Sequence, residues 1–78
     1  MVRPPYARPI RRRFANADYP VVILRFEDGH EIHVRKGEGR SFSAYEGETV
    51  KVLVLWDPSV NERELIAVRK AEQFEEET

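Results

Sequence analysis

Cysteine is absent from this 78-residue chain, and methionine and tryptophan occur once each. Disulfides and thiolate metal sites are therefore excluded, and the redox compartment leaves no mark. No apolar run approaches the roughly 18 residues of a membrane-spanning helix, so no membrane partner is expected. Pro4, Pro5 and Pro9 break up the amino-terminal segment, which lacks the apolar stretch of a secretory signal. A cytoplasmic protein is the expectation. Acid is missing from residues 1–14, which carry Arg3, Arg8, Arg11, Arg12 and Arg13. The remainder holds eight basic and fourteen acidic side chains, so a cationic segment precedes an anionic body and the net charge is −1. Such a division lets one end approach an anionic partner that the body repels.

Catalytic signatures are missing as well. No Gly-x-Ser-x-Gly surrounds Ser41 or Ser43. The run Lys36-Gly37-Glu38-Gly39-Arg40-Ser41 lacks the backbone and the trailing Lys-Ser/Thr of a phosphate loop. His30, Glu31 and His33 are the remaining candidates for a metal or proton-transfer site. On one strand His30 and His33 point to opposite faces, so they cannot share an ion without a bulge. A chain this short has no room for a deep cavity beside its core. Neither an enzyme, a cofactor nor a metal is expected.

What is present is strand-forming sequence. Tyr19-Pro20-Val21-Val22-Ile23-Leu24-Arg25-Phe26-Glu27 and His30-Glu31-Ile32-His33-Val34-Arg35-Lys36 flank Asp28-Gly29. This predicts a hairpin with a two-residue turn, because both turn residues tolerate positive φ. Residues 37–40 read as a loop. Ser41 to Tyr45 reads as a short strand with Phe42 and Ala44 inward, closed by a Glu46-Gly47 turn. Thr49-Val50-Lys51-Val52-Leu53-Val54-Leu55-Trp56 alternates in its first half and is apolar throughout its second. That pattern implies burial on both faces or a sharp bend.

Residues 60–74 read two ways. Ser59-Val60-Asn61-Glu62 matches a capping box that would open a helix. The favoured reading makes Leu65-Ile66-Ala67-Val68 a last strand, with residues 70–76 a frayed helical turn or tail. The expected fold is all-β: a small SH3-like or Sm-like barrel, or a curved antiparallel sheet of four to five strands. Its expected parts are a flexible basic arm (1–14), a β domain (15–72) and an acidic tail (73–78). Ile10 to Phe14 has a second reading, as an edge strand with Arg11 and Arg13 on one side.

The function expected is a non-catalytic adaptor that docks on a larger protein or nucleoprotein assembly. Its contacts are the arginine arm and an exposed sheet edge, either 49–56 or 64–70. Direct RNA or DNA binding is the alternative, using the arm with Arg35, Lys36 and Arg40 as one positive edge. Tyr6, Phe14 and Trp56 are the aromatic side chains such a contact would stack on. Trp56 reads more readily as a core residue capping one end of the domain. A third class is a homo-oligomeric unit, since small domains often close sheet edges against copies of themselves.

Overall fold

The β-branched and aromatic runs of this chain become strands, and a computed structural model describes them over residues 8–77. Seven strands follow in order: β1 (Ile10–Asn16), β2 (Val21–Arg25), β3 (Glu31–Arg35), β4 (Glu38–Ala44), β5 (Thr49–Leu55), β6 (Glu64–Lys70) and β7 (Glu75–Glu76). A 3₁₀ turn, Ala71–Gln73, separates the last two. All pairing is antiparallel. One sheet runs β4-β1-β7 and the other β3-β2-β5-β6. The expected all-β class is what the chain adopts. The barrel is not: two separate sheets face each other, and among the described residues each has two edge strands.

Between them lies the main core. Val22, Leu24, Val50, Val52 and Val54 of the four-stranded sheet meet Phe42 and Ala44 of β4, with Phe26, Ala71 and Phe74. Strand alternation supplies these contacts, since every second side chain of β2 and β5 faces the opposing sheet. The intervening residues Ile23, Leu53 and Leu55 form a second, smaller cluster on the outer face of the four-stranded sheet. Ile23 is fully buried, and Leu53 and Leu55 nearly so. The apolar second half of β5 is thus explained by burial on both faces, as its sequence implies.

The segment expected as an arm (1–14) is strand from Ile10 onward. Residues 1–7 lie outside the described structure, but Ile10 to Phe14 belong to β1. β1 is also not an edge: it pairs with β4 along all seven residues and with β7 at Arg12 and Arg13. The arginines conceal a simple alternation in which Ile10, Arg12, Phe14 and Asn16 turn inward and Arg11, Arg13 and Ala15 outward. The acidic end is likewise held. Phe74 is buried and packs edge-on against Phe14 and Phe42, with centroids 6.2 and 5.2 Å apart. That anchor lays Glu75 and Glu76 beside β1. Residues 64–70 form a strand, as favoured, and the capping-box helix does not occur.

Two turns differ from expectation. The β2–β3 hairpin has a longer loop than two residues, because Phe26 donates to the His30 carbonyl at 3.0 Å and Gly29 to the Phe26 carbonyl at 2.9 Å. Within this loop only Gly29 has positive φ (93°). The two-residue turn would need it at Asp28 too, whereas a three-residue loop with its bulge needs it once. Residues 38–40 are strand rather than loop; the chain reverses at Lys36-Gly37 alone, with Gly37 at φ 82°.

That reversal moves the chain from one sheet to the other, and Asn16 secures it. The Asn16 amide nitrogen donates to the carbonyls of Tyr19 and Val34, both at 2.9 Å, and its oxygen accepts from the Tyr19 amide at 3.0 Å. Its own carbonyl accepts from Gly37 at 2.6 Å. Only 2% of Asn16 is exposed, so water cannot replace these bonds. Asn16→Ala is expected to lower unfolding free energy by roughly 3 kcal/mol, since it strands buried backbone groups. Asn61→Ala, at an exposed loop position, should stay within about 0.5 kcal/mol. Urea titration followed by circular dichroism measures both.

Candidate interaction surfaces

The basic residues singled out by sequence do not converge. Arg3 and Tyr6 lie outside the described residues, and Arg8 is exposed ahead of β1. Arg11 meets Glu77, Nε to Oε1 3.6 Å, and the Ser41 hydroxyl donates to the same carboxylate. Arg12 is turned into the protein, where its guanidinium donates to the Phe74 carbonyl at 3.2 Å and its Nε has no partner. Burial removes Arg12 from any list of phosphate contacts: it is a structural cation joining β1 to the end of the chain. Arg13 lies across Gly39, where an added Cβ would meet its guanidinium at 2.5 Å. Phe14 is half-buried against Phe74, not displayed for stacking.

Arg35, Lys36 and Arg40 do gather at the β3–β4 reversal. With His33, Arg35 and Lys36 line an open groove of about 620 Å³ floored by Pro20, Val21, Leu55 and Pro58. Arg40 donates to the His33 carbonyl at 3.2 Å. This groove lies on the outer side of the four-stranded sheet, because Arg35 sits opposite Val21, a neighbour of the outer cluster. Arg11 and Arg13 occupy the outer side of the other sheet. The single positive edge expected from sequence is therefore two separate basic regions facing away from a shared core.

His30 and His33 are apart as well. His30 belongs to the hairpin loop, stacked on Phe26 at 4.5 Å with Nδ1 2.6 Å from Asp28. His33 lies on the outer face with Nε2 3.8 Å from Glu31. Among the described residues no three His, Asp or Glu side chains are grouped to hold a metal ion.

Glu31 is the electrostatic centre of the outer face. Its carboxylate accepts from Arg25 Nε at 2.7 Å and from Arg63 at 2.7 and 2.8 Å. Arg25 follows Ile23 by two positions on the same face, so the three charges border the outer apolar cluster. Arg63 comes from the connection before β6 and ties it back to β3.

Among the described residues, the large exposed apolar side chains lie at and beside β6. Trp56, Val60, Leu65, Ile66 and Val68 are 39–55% exposed. The expectation that Trp56 caps the core fails. Its ring stands edge-on to Tyr19 at 5.4 Å and its Nε1 donates to Glu64 at 2.7 Å, which leaves half the indole in water. β6 is an edge strand, with β5 on one side and no strand on the other among the described residues. Of the two edges weighed from sequence, 49–56 is central and only 64–70 is free. Exposed backbone donors and acceptors beside apolar side chains are what a partner strand requires. β6 also carries a bulge: Ala67 faces Val52 and Leu65 faces Leu53, which leaves Ile66 as the extra residue. Sequence reasoning named the strand but missed the bulge, which has no glycine to announce it.

Comparison of the chain with protein-family models, curated proteins and solved structures finds no match. No helix among the described residues is long and apolar enough to cross a membrane.

The Glu31 cluster predicts a pH response. Hydrogen bonding from Arg25, then from Arg63, holds the Glu31 carboxyl below the ordinary glutamate range. A carboxylate whose pKa is lower folded than unfolded stabilises the native state above its unfolded pKa. That stability is lost as pH falls through its folded value. Stability should thus decline as pH drops below about 4. Glu31→Gln should flatten the decline without abolishing it, because Asp28 and Glu77 are also held low, by the His30 backbone amide and the Ser41 hydroxyl. Urea midpoints of both proteins at neutral and acid pH test this.

Proposed function

We propose that this chain is a non-catalytic interaction module, a small cytoplasmic adaptor that docks on a larger assembly by accepting a partner strand along β6. The observation that carries this reading is the free edge of β6 beside Leu65, Ile66 and Val68, 39–55% exposed. Main-chain hydrogen bonds along the edge give affinity, and the exposed apolar side chains give register. The other side chains suited to chemistry support a structural reading. Glu31 is engaged by two arginines, His30 by Asp28, and Arg12 by a core carbonyl. The basic groove at Arg35 and Lys36 lies on the same outer face and adds a cationic rim for an acidic partner.

Direct nucleic-acid binding draws less support, since Arg11 is met by Glu77 and Arg12 is buried. Fewer free cations mean fewer phosphates neutralised and weaker binding.

The test is affinity capture from source-cell lysate with wild type, with Leu65→Lys/Val68→Lys, and with Arg35→Glu/Lys36→Glu, each with and without nuclease. Exposed positions tolerate these changes, so far-ultraviolet circular dichroism should be unaltered. Capture of a specific protein should fall about tenfold or more, some 1.4 kcal/mol, for the β6 variant, and should survive nuclease. Capture that ignores the β6 variant, or that disappears with nuclease, overturns the reading.

A further inference from the structure

The β6 edge is complementary to itself. Its residues run Glu64-Leu65-Ile66-Ala67-Val68-Arg69-Lys70, and their faces follow from the partners on β5. Glu64 lies opposite Val54 and Arg69 opposite Val50, both core residues, so Glu64 and Arg69 share the inner face. Leu65 lies opposite Leu53 and Val68 opposite Lys51, both outer-face residues, so Leu65 and Val68 share the outer face. On a regular strand, residues three or five apart point to opposite faces. The extra residue Ile66 shifts the alternation by one and brings each pair onto a common face.

We infer that the strand β6 accepts is β6 of a second copy of this chain, paired antiparallel about a two-fold axis between Ile66 and Ala67. This rests on the strand-acceptor reading above and names the strand that occupies β6 in the isolated protein. In that register Leu65 lies opposite Val68 of the second copy on the outer face, and Glu64 opposite its Arg69 on the inner face. Two-fold symmetry makes each contact twice, giving two apolar pairs and two ion pairs from one strand. Opposed residues in an antiparallel ladder share a face, and cross-strand pairs of these kinds stabilise it.

Neighbouring registers do worse. An axis on Ala67 sets outer Leu65 against inner Arg69, and an axis on Ile66 sets inner Glu64 against outer Val68. The charged groups are already placed: Glu64 is held by the Trp56 Nε1, and the Arg69 guanidinium lies 5.9 Å from the Phe74 ring centroid. Pairing joins the two four-stranded sheets into one of eight, β3-β2-β5-β6 continued by β6-β5-β2-β3. It also covers Leu65 and Val68, which stand 51% and 55% exposed in the single chain.

Sedimentation equilibrium and multi-angle light scattering, from low to hundreds of micromolar, test this with wild type, Glu64→Arg, Arg69→Glu and the double reversal. Wild type should form a dimer. Each single reversal sets like charges opposite each other at both ends of the ladder and should raise the dissociation constant about tenfold or more. The double reversal restores opposite charges only across the interface, so it should recover most of the loss. Hydrogen exchange supplies a second readout that needs no substitution: β6 amides should be slow at high concentration and fast at low concentration. A wild-type chain that stays monomeric at the highest concentration overturns this inference, as does a dimer indifferent to both reversals. The strand-acceptor reading survives either result and falls if capture ignores the Leu65→Lys/Val68→Lys variant or disappears with nuclease.

Discussion

One buried amide holds the two sheets in their relation. Asn16 ends β1 in the three-stranded sheet, yet its side chain bonds to Tyr19 before β2 and to Val34 in β3, and its carbonyl to Gly37 at the turn into β4. Four segments from both sheets therefore meet at one residue. Apolar packing alone does not specify this, because it is tolerant of sliding, whereas a buried amide satisfied by three directed bonds is not. The strand register on either side depends on where the chain turns, and Asn16 determines where it turns.

The same economy governs the other buried polar groups. Arg12 lies against the Phe74 carbonyl, and Glu48 accepts from the amides of Tyr45 and Glu27 around the turn before β5. Both bring separate parts of the chain together at points where a small core has little area to spare. Ala71 adds to this, donating its amide to the Glu48 carbonyl while its side chain is fully buried. The result closes the end of the molecule that β7 would otherwise leave loose.

Several of the charges are engaged within the chain rather than left as solvated tails. The arginine-rich beginning and the glutamate-rich end look like two solvated tails of opposite sign, but β1 and β7 lie side by side, and Arg11 meets Glu77. On the opposite outer face Arg25 and Arg63 converge on Glu31. Among the edge strands of the described residues, β6 is the one that carries exposed Leu65, Ile66 and Val68. The proposed assembly follows from that exposure: an edge with exposed leucine and valine gains most by pairing, and its bulge decides which residues can face each other.

The sequence by itself determined the strands whose signal is local. The β2–β3 hairpin, Phe42 and Ala44 turned inward, and the doubly buried end of β5 all follow from side-chain alternation and composition, which act within a few residues. It also named 64–70 as a strand and as one of two candidate edges. Tertiary structure alone decided what depends on distant neighbours. Arg12 looks like a phosphate ligand until Phe74 arrives from 62 positions away to accept its hydrogen bond. Asn16 has no local pattern that marks it as a corner, because its partners lie at residue 19 nearby and at 34 and 37 farther along. Trp56 reads as core until Tyr19 and Glu64 hold its ring at the surface. Two sheets rather than a closed barrel, the central place of β1 and the bulge at Ile66 arise from how strands pair across the chain. Such pairing is selected by the packing of the whole and leaves no periodicity in any one segment.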